Sequence, residues 1–297
     1  MSARRLRPTT RLVITVVAVL VVVYAAVVTL YALSGHVASL GPKEPEPEPG
    51  GVTVVLTVQS VDAAGQRMPM DVTIDPSDSL YSGDLLSVST DISVLIRPVE
   101  GSESVVFPAG SARETKQLDV LTPGEIESWP FDGYTADPLR VVAYVTSAGV
   151  ARPIPTQVWM TGYVPGWNVT ATQVGKSPTT PPLTLAQAIA DTPTIDLHAT
   201  RSGSTVAFAF LLLALLVVMP CLVLFVAITA LRGRRKVEAS FMGWMGAMLF
   251  ATIPLRTFLP GSPPIGSWID FTVVLWVVVG LIAGLTIYVI AWARHST

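Results

Sequence analysis

The sequence predicts a membrane α plus extracytoplasmic all-β protein. Four transmembrane helices are expected, one N-terminal and three C-terminal, with an antiparallel β-sandwich-like domain inserted between helices 1 and 2. Three observations carry this expectation. Hydrophobic residues make up 51% of the chain and charged residues only 13%, with a mean hydropathy of +0.56, whereas soluble domains carry about a quarter charged residues. Four long apolar segments stand apart from the rest. Between the first and second of them, apolar and polar residues alternate with the period of strands.

A bilayer core of about 30 Å needs roughly 20 apolar residues in a helix. Residues 12–33, 206–231, 241–258 and 269–292 meet that need, the third only if Arg256 sits at the interface. Their flanks orient them, because short cytoplasmic loops collect basic residues. Arg4, Arg5, Arg7 and Arg11 precede the first span, Arg232, Arg234, Arg235 and Lys236 separate the second from the third, and Arg294 follows the fourth. One scheme satisfies all three clusters: a multi-pass protein of the plasma membrane with residues 1–11, 232–240 and 293–297 in the cytoplasm. The first apolar run spans 22 residues, is longer than a signal-peptide core and is followed by no A-x-A cleavage pattern, so it is read as an uncleaved anchor.

No ionisable residue lies in mid-span, which argues against a self-sufficient pump or ion-coupled carrier. Pro220 is expected to kink the second span. Gly280 and Gly284 offer a small-residue face on the fourth span, as Gly243 and Ala247 do on the third. Such faces serve close packing within a bundle more often than dimerisation.

Residues 34–51 form a linker that contains Pro42-Lys43 followed by glutamates and prolines in alternation from Glu44 to Pro49. Alternate prolines favour an extended path, so the segment is read as a stiff spacer lifting the domain from the bilayer. The domain itself, residues 52–204, offers strands over Val52–Val58, Met68–Ile74, Leu86–Ile96, Leu139–Thr146, Thr156–Met160 and Ile195–Thr200, separated by turn signals such as Pro123-Gly124. One helix is expected, over Leu183–Ala190. The last strand leads almost directly into the second span, which implies a rigid attachment there and a loose tether at the spacer. With a single cysteine, Cys221, no intrachain disulfide can form, so the domain depends on its core. From Lys43 to Arg201 nineteen acids face nine bases, a net charge of −10. That excess disfavours nucleic acid and bare anionic lipid.

The nucleotide-binding, metalloprotease, serine-hydrolase and dithiol signatures G-x-x-x-x-G-K-[ST], G-x-G-x-x-G, H-E-x-x-H, G-x-S-x-G and C-x-x-C are all missing. His198 with Asp196 shares a strand face simply through the pleat, and Asp71, Asp75 and Asp78 lack the spacing of a calcium loop. No catalytic, metal-ligating or cofactor-binding residue is therefore assigned. Two constellations rise above this background. The first is the corner Trp129-Pro130-Phe131-Asp132-Gly133-Tyr134, two aromatics and a proline packed around an acid that can accept local hydrogen bonds. The second is the hairpin of residues 259–268, rigidified by Pro260, Pro263, Pro264 and Gly266 and bounded by Arg256 and Asp270. These two charges stand at the ends of adjacent helices, where an unpaired charge is costly, so they are expected to pair with each other or with the β domain.

At these constellations the chain resembles the actinobacterial membrane family known as domain of unknown function 4436. The basic N-terminus with one span, the Trp129–Tyr134 corner, the three C-terminal spans and the Arg256-to-Asp270 hairpin with Trp276 carry the resemblance. It implies the same architecture and no particular activity, so no functional residue is transferred. On these grounds the expected role is a non-enzymatic binding, sensing or scaffolding module of the bacterial cell envelope. It would bind lipid bilayer and an envelope protein or cell-wall partner, and no nucleic acid. The alternatives are an accessory subunit of a transport or export system and, below it, a carboxylate-dependent cell-wall enzyme using acids such as Asp84, Asp91 and Asp132.

Overall fold

The computed structural model describes residues 8–33, 36–38, 40–41, 43–82, 87–111, 114–147, 149–175, 184–234 and 238–295. The chain divides into two compact units. One is helical and comprises residues 1–34, 202–262 and 269–297; the other is β-rich and comprises residues 35–201 together with 263–268. Expectations resting on Arg4, Arg5, Arg7, Asp84, Leu86, Leu183, Arg235 and Lys236 fall outside the described residues.

The β unit contains β1 (Val52–Val58), β2 (Arg67–Pro76), β3 (Ile92–Arg97), β4 (Ser104–Phe107), β5 (Lys116–Leu121), β6 (Gly133–Thr135), β7 (Arg140–Ser147), β8 (Val150–Pro153), β9 (Thr156–Gly162), β10 (Trp167–Val174) and β11 (Thr194–Arg201). Among the described residues they form three sheets, ordered β5-β2-β1-β9, β10-β11-β6 and β4-β3-β7-β8. Along β2 every second residue is buried, so Met68, Met70, Val72 and Ile74 point inward while Asp71 and Thr73 point outward. Val54 and Leu56 of β1, Ile92 and Val94 of β3, Val141 of β7 and Leu197 of β11 meet these in one continuous apolar cluster. Burying each such side chain contributes about 1.5–3 kcal/mol, which explains how the unit holds together without a disulfide.

Two features depart from a two-sheet antiparallel sandwich. There are three sheets around one core, and β1 pairs with β9 in parallel. A parallel pair needs a crossover of a dozen residues or more, and here everything from β2 to β8 lies between the partners. The expected helix is α2 (Leu185–Asp191), whose N-cap Thr184 accepts a hydrogen bond from the Gln187 N–H at 3.3 Å.

The segment ahead of β1 is not a loose tether. Val37 N–H donates to the Gly162 carbonyl at 3.1 Å and Ala38 N–H to that of Val169 at 2.9 Å, and the Val37 side chain enters the core. Beyond them Thr53 Oγ1 donates to the Pro45 carbonyl at 2.9 Å. The Pro/Glu run therefore lies along the sheet as a strap, because residues on both sides of it already belong to the same hydrogen-bonded unit.

The helical unit contains α1 (Pro8–Ala32), α3 (Gly203–Leu231), α4 (Ser240–Thr257) and α5 (Leu275–His295), the last entered through a π-helical turn at Asp270–Val274. Among the described residues three stretches are long and apolar enough to cross a membrane: Ile14–Ala32, Gly203–Leu231 and Asp270–Arg294. The 18-residue α4 is less apolar, because Ser240, Pro254, Arg256 and Thr257 dilute it; it is about 27 Å long at 1.5 Å per residue.

The small residues divide by use. A Cβ added at Gly284 would come 2.6 Å from Val223 Cγ1, and one at Gly280 would come 3.0 Å from Pro220 Cβ, so α5 packs its glycine face on the proline-bearing stretch of α3. By contrast, a Cβ at Gly243 would meet nothing within 4 Å, and both Gly243 and Ala247 are exposed. The expected small-residue face of α4 is thus not used in packing this unit. Gly284→Val should therefore destabilise the detergent-purified protein by about 1–3 kcal/mol, the usual cost of overpacking. Gly243→Ala should change stability by less than about 0.5 kcal/mol. Thermal unfolding of the two variants side by side measures the difference.

Candidate functional site

The charged centre of the β unit forms where β11 ends. Arg201 pairs across to Trp167, the first residue of β10, while Ala199 pairs with Tyr134 in β6. Because β11 is the middle strand of its sheet, its terminal side chain is enclosed by both neighbours; the Arg201 side chain is only 3% exposed. A guanidinium cannot shed its charge, so it needs a fixed counterion there.

Asp132 supplies it. The corner begins with a 3-10 turn at Ile126–Ser128, from which the Trp129 N–H donates to the Ile126 carbonyl and the Phe131 N–H to that of Ser128. The Trp129–Pro130 peptide is cis. This path buries Trp129 and Pro130, leaves Phe131 outside and turns Asp132 inward. Arg201 Nε lies 3.0 and 3.1 Å from the two Asp132 oxygens and its terminal nitrogen lies 2.9 Å from Oδ2. The Tyr134 hydroxyl donates to the same Oδ2 at 2.9 Å. Burial raises the Tyr134 pKa well above its ordinary value, and its hydrogen bond to the Asp132 carboxylate adds to that, with Arg201 opposing. The phenol is accordingly a permanent neutral donor. The guanidinium lies 4.2 Å over the Trp167 ring, which in turn meets Tyr134 edge to face at 5.5 Å. Gly124 is required beside this cluster, since a Cβ there would fall 2.3 Å from the Gly133 carbonyl oxygen.

The segment 263–268 belongs to this unit as well. Trp268 Nε1 donates to the Trp129 carbonyl at 2.5 Å. Pro263 and Ser267 are buried; Pro264, Ile265 and Gly266 face outward. The backbone turns twice: the Ser262 N–H donates to the Leu259 carbonyl and the Ser267 N–H to that of Pro264, with Gly261, Ser262 and Gly266 at positive φ. Pro260, inside the first turn, is half-buried.

In the helical unit Arg256 and Asp270 form a second bidentate pair, Nε to Oδ1 at 3.1 Å and the terminal nitrogen to Oδ2 at 3.0 Å. Both side chains are mostly enclosed. They join the last turn of α4 to the π-helical entry of α5. At the other end of the unit the Tyr288 hydroxyl donates to the Glu238 carbonyl at 2.9 Å and accepts from the Glu238 N–H.

The remaining acids and histidines do not converge. Asp196 is apart from the contact that His198 Nδ1 makes with Thr135 Oγ1 at 2.9 Å. Asp91 accepts from the Ala109 N–H, and Asp71 from Gln59. Among the described residues no group of His, Cys, Asp or Glu is arranged to hold a metal ion. The sequence reading missed Arg201, Trp167 and Tyr288 as partners. Arg201 had a legible signal: it is the last charge before a long uncharged helix.

Residues 42–188 match the model of the family described as Domain of unknown function (DUF4436), and residues 201–295 match a second, described as Domain of unknown function (DUF8686). The chain resembles the first family over residues 42–188, the part of its β unit that precedes β11. The Arg256-to-Asp270 hairpin and the C-terminal helices, expected to share that resemblance, match the second model instead. A comparison with curated proteins found no match.

Asp132→Asn leaves Arg201 buried without a counterion and should cost about 3–5 kcal/mol. The double change Asp132→Leu with Arg201→Met should recover most of that loss, as read by tryptophan fluorescence during chemical unfolding. Arg256→Met alone should lower the folded yield in membranes, and changing Asp270 to leucine as well should restore it. Independent effects of the two changes would show that the pair is not energetically coupled.

Proposed function

We propose that this chain is a four-span integral protein of the plasma membrane. Its basic segments face the cytoplasm, and its β unit acts outside as a non-enzymatic binding or scaffolding module of the cell envelope. The observation that carries the reading is the state of the acid at the centre of the β unit. Asp132 is enclosed, held by Nε and one terminal nitrogen of Arg201 and by a tyrosine hydroxyl. A carboxylate so enclosed presents no oxygen to solvent, and it serves to hold a shape. The membrane reading is supported by three long apolar helices. The fourth span is proposed from the loops: Arg232 and Arg234 follow α3, and Arg294 lies in the last turn of α5. Only a crossing by α4 puts both basic clusters on the same side.

Two measurements test this. In a Cys221→Ser background, Ser262→Cys should react with a membrane-impermeant maleimide on intact cells, and Arg234→Cys only after permeabilisation. Labelling of both from the same side would remove α4 from the set of spans. Crosslinking in native membranes followed by mass spectrometry should recover a reproducible envelope component attached to the β unit. Repeated recovery of none would count against the binding role.

A further inference from the structure

The β unit carries an apolar rim beside its buried charge cluster. Ile265 is 94% exposed, Phe131 65% and Trp268 39%. The Trp268 hydrogen bond to the Trp129 carbonyl brings these together: Ile265 is three residues from one partner and Phe131 two residues from the other. Their exposure is built into the backbone. Gly266 at φ +97° and the Ser267–Pro264 turn hold Ile265 outward, while the buried Trp129 and Pro130 push Phe131 outward. From Thr257 to Ile269 the chain carries no charge. A soluble protein that exposes an isoleucine almost completely beside two aromatics leaves apolar area for something to cover.

Chain connection says what covers it. Segment 263–268 is flanked at Ser262 and Ile269 by residues of the helical unit, the α4 end at Thr257 lying a few residues before it, and β11 continues through Ser202 into α3. This end of the β unit is therefore within a few residues of three span ends. Aromatic and aliphatic side chains at that depth belong to the interfacial layer of a bilayer. Charge attraction cannot hold the unit there, since residues 43–201 carry a net −10 and Glu125 and Glu127 next to the corner are exposed; apolar insertion is the attraction left.

Resting on the membrane reading above, we propose that Ile265, Phe131 and Trp268 form a lipid-insertion surface by which the β unit enters the boundary between headgroups and acyl chains. Its occupant is lipid. The far end of the same sheet supplies a control: Val174 pairs with Thr194, seven strand steps from the Trp167–Arg201 pair, or about 23 Å away. Val174 is also exposed.

The full chain in a Cys221→Ser background, carrying Ile265→Cys, Phe131→Cys, Val174→Cys or Val279→Cys with an environment-sensitive fluorophore, is placed in vesicles. These are equal mixtures of phosphatidylcholine and phosphatidylglycerol, with or without a nitroxide, carried near the head of the acyl chain for the labels at 265, 131 and 174 and near its tail for the label at 279. Labels at 265 and 131 should be quenched several-fold more than the label at 174. The label at 279, on an exposed face of α5, should be quenched in every case. Quenching at 279 with 265 and 131 no different from 174 overturns the insertion surface and leaves the membrane reading standing. No quenching at 279 overturns the membrane reading and the proposal with it. A blue-shifted emission at 265 that persists in detergent and grows with protein concentration assigns the rim to a second copy, which also overturns it.

Discussion

Strand β11 has to stop being a strand and become a helix within two residues, and the ion pair between Arg201 and Asp132 is what makes that possible inside a packed unit. Arg201 ends the strand, Ser202 caps the following helix by accepting from the Thr205 N–H, and Gly203 begins α3. With no linker to absorb strain, the last strand residue stays in the sheet and is buried with it. A buried guanidinium without a counterion costs several kcal/mol. The whole corner from Ile126 to Thr135 is shaped to deliver one, with Tyr134 and Trp167 closing the remaining faces. Removing one partner therefore costs more than the pair contributes as a whole.

The same device recurs in the helical unit. Arg256 and Asp270 meet as fork to carboxylate where α4 ends and α5 begins. Each unit thus holds one enclosed arginine–aspartate pair at the place where a connecting segment must keep a fixed path. Between α3 and α5 the fit is steric rather than ionic. Gly280 and Gly284 leave the space that Pro220 and Val223 fill, an interlock of the kind that holds helices together when lipid offers no hydrophobic gain from burial.

Legibility varied with how much of an element's pattern was local. Strands β1, β2, β7, β9 and β11 were readable, because each alternates or runs apolar over enough residues to declare a buried face. β6 is three residues long and β4 and β8 are four, too short to show a period. β10 did carry its signal in Trp167, Val169 and Ala171, interleaved with polar residues. The hydrogen bonds of Val37, Ala38 and Pro45 to the β unit had no local signal, because proline alternation describes a stiff extended chain equally well whether it lies free or along a sheet.

By itself the sequence determined the division of the chain: apolar helices around a strand-rich insert. Span length and strand period are set by local composition against a solvent of fixed thickness or a core with one buried face. It also marked the corner and the hairpin as unusual. Only the tertiary structure decided what those features hold. Which arginine Asp132 meets, which carbonyl Trp268 reaches and which glycines touch a neighbour depend on residues tens of positions apart. No local period encodes such pairings; they follow from three sheets closing on one core and two helices closing on one another.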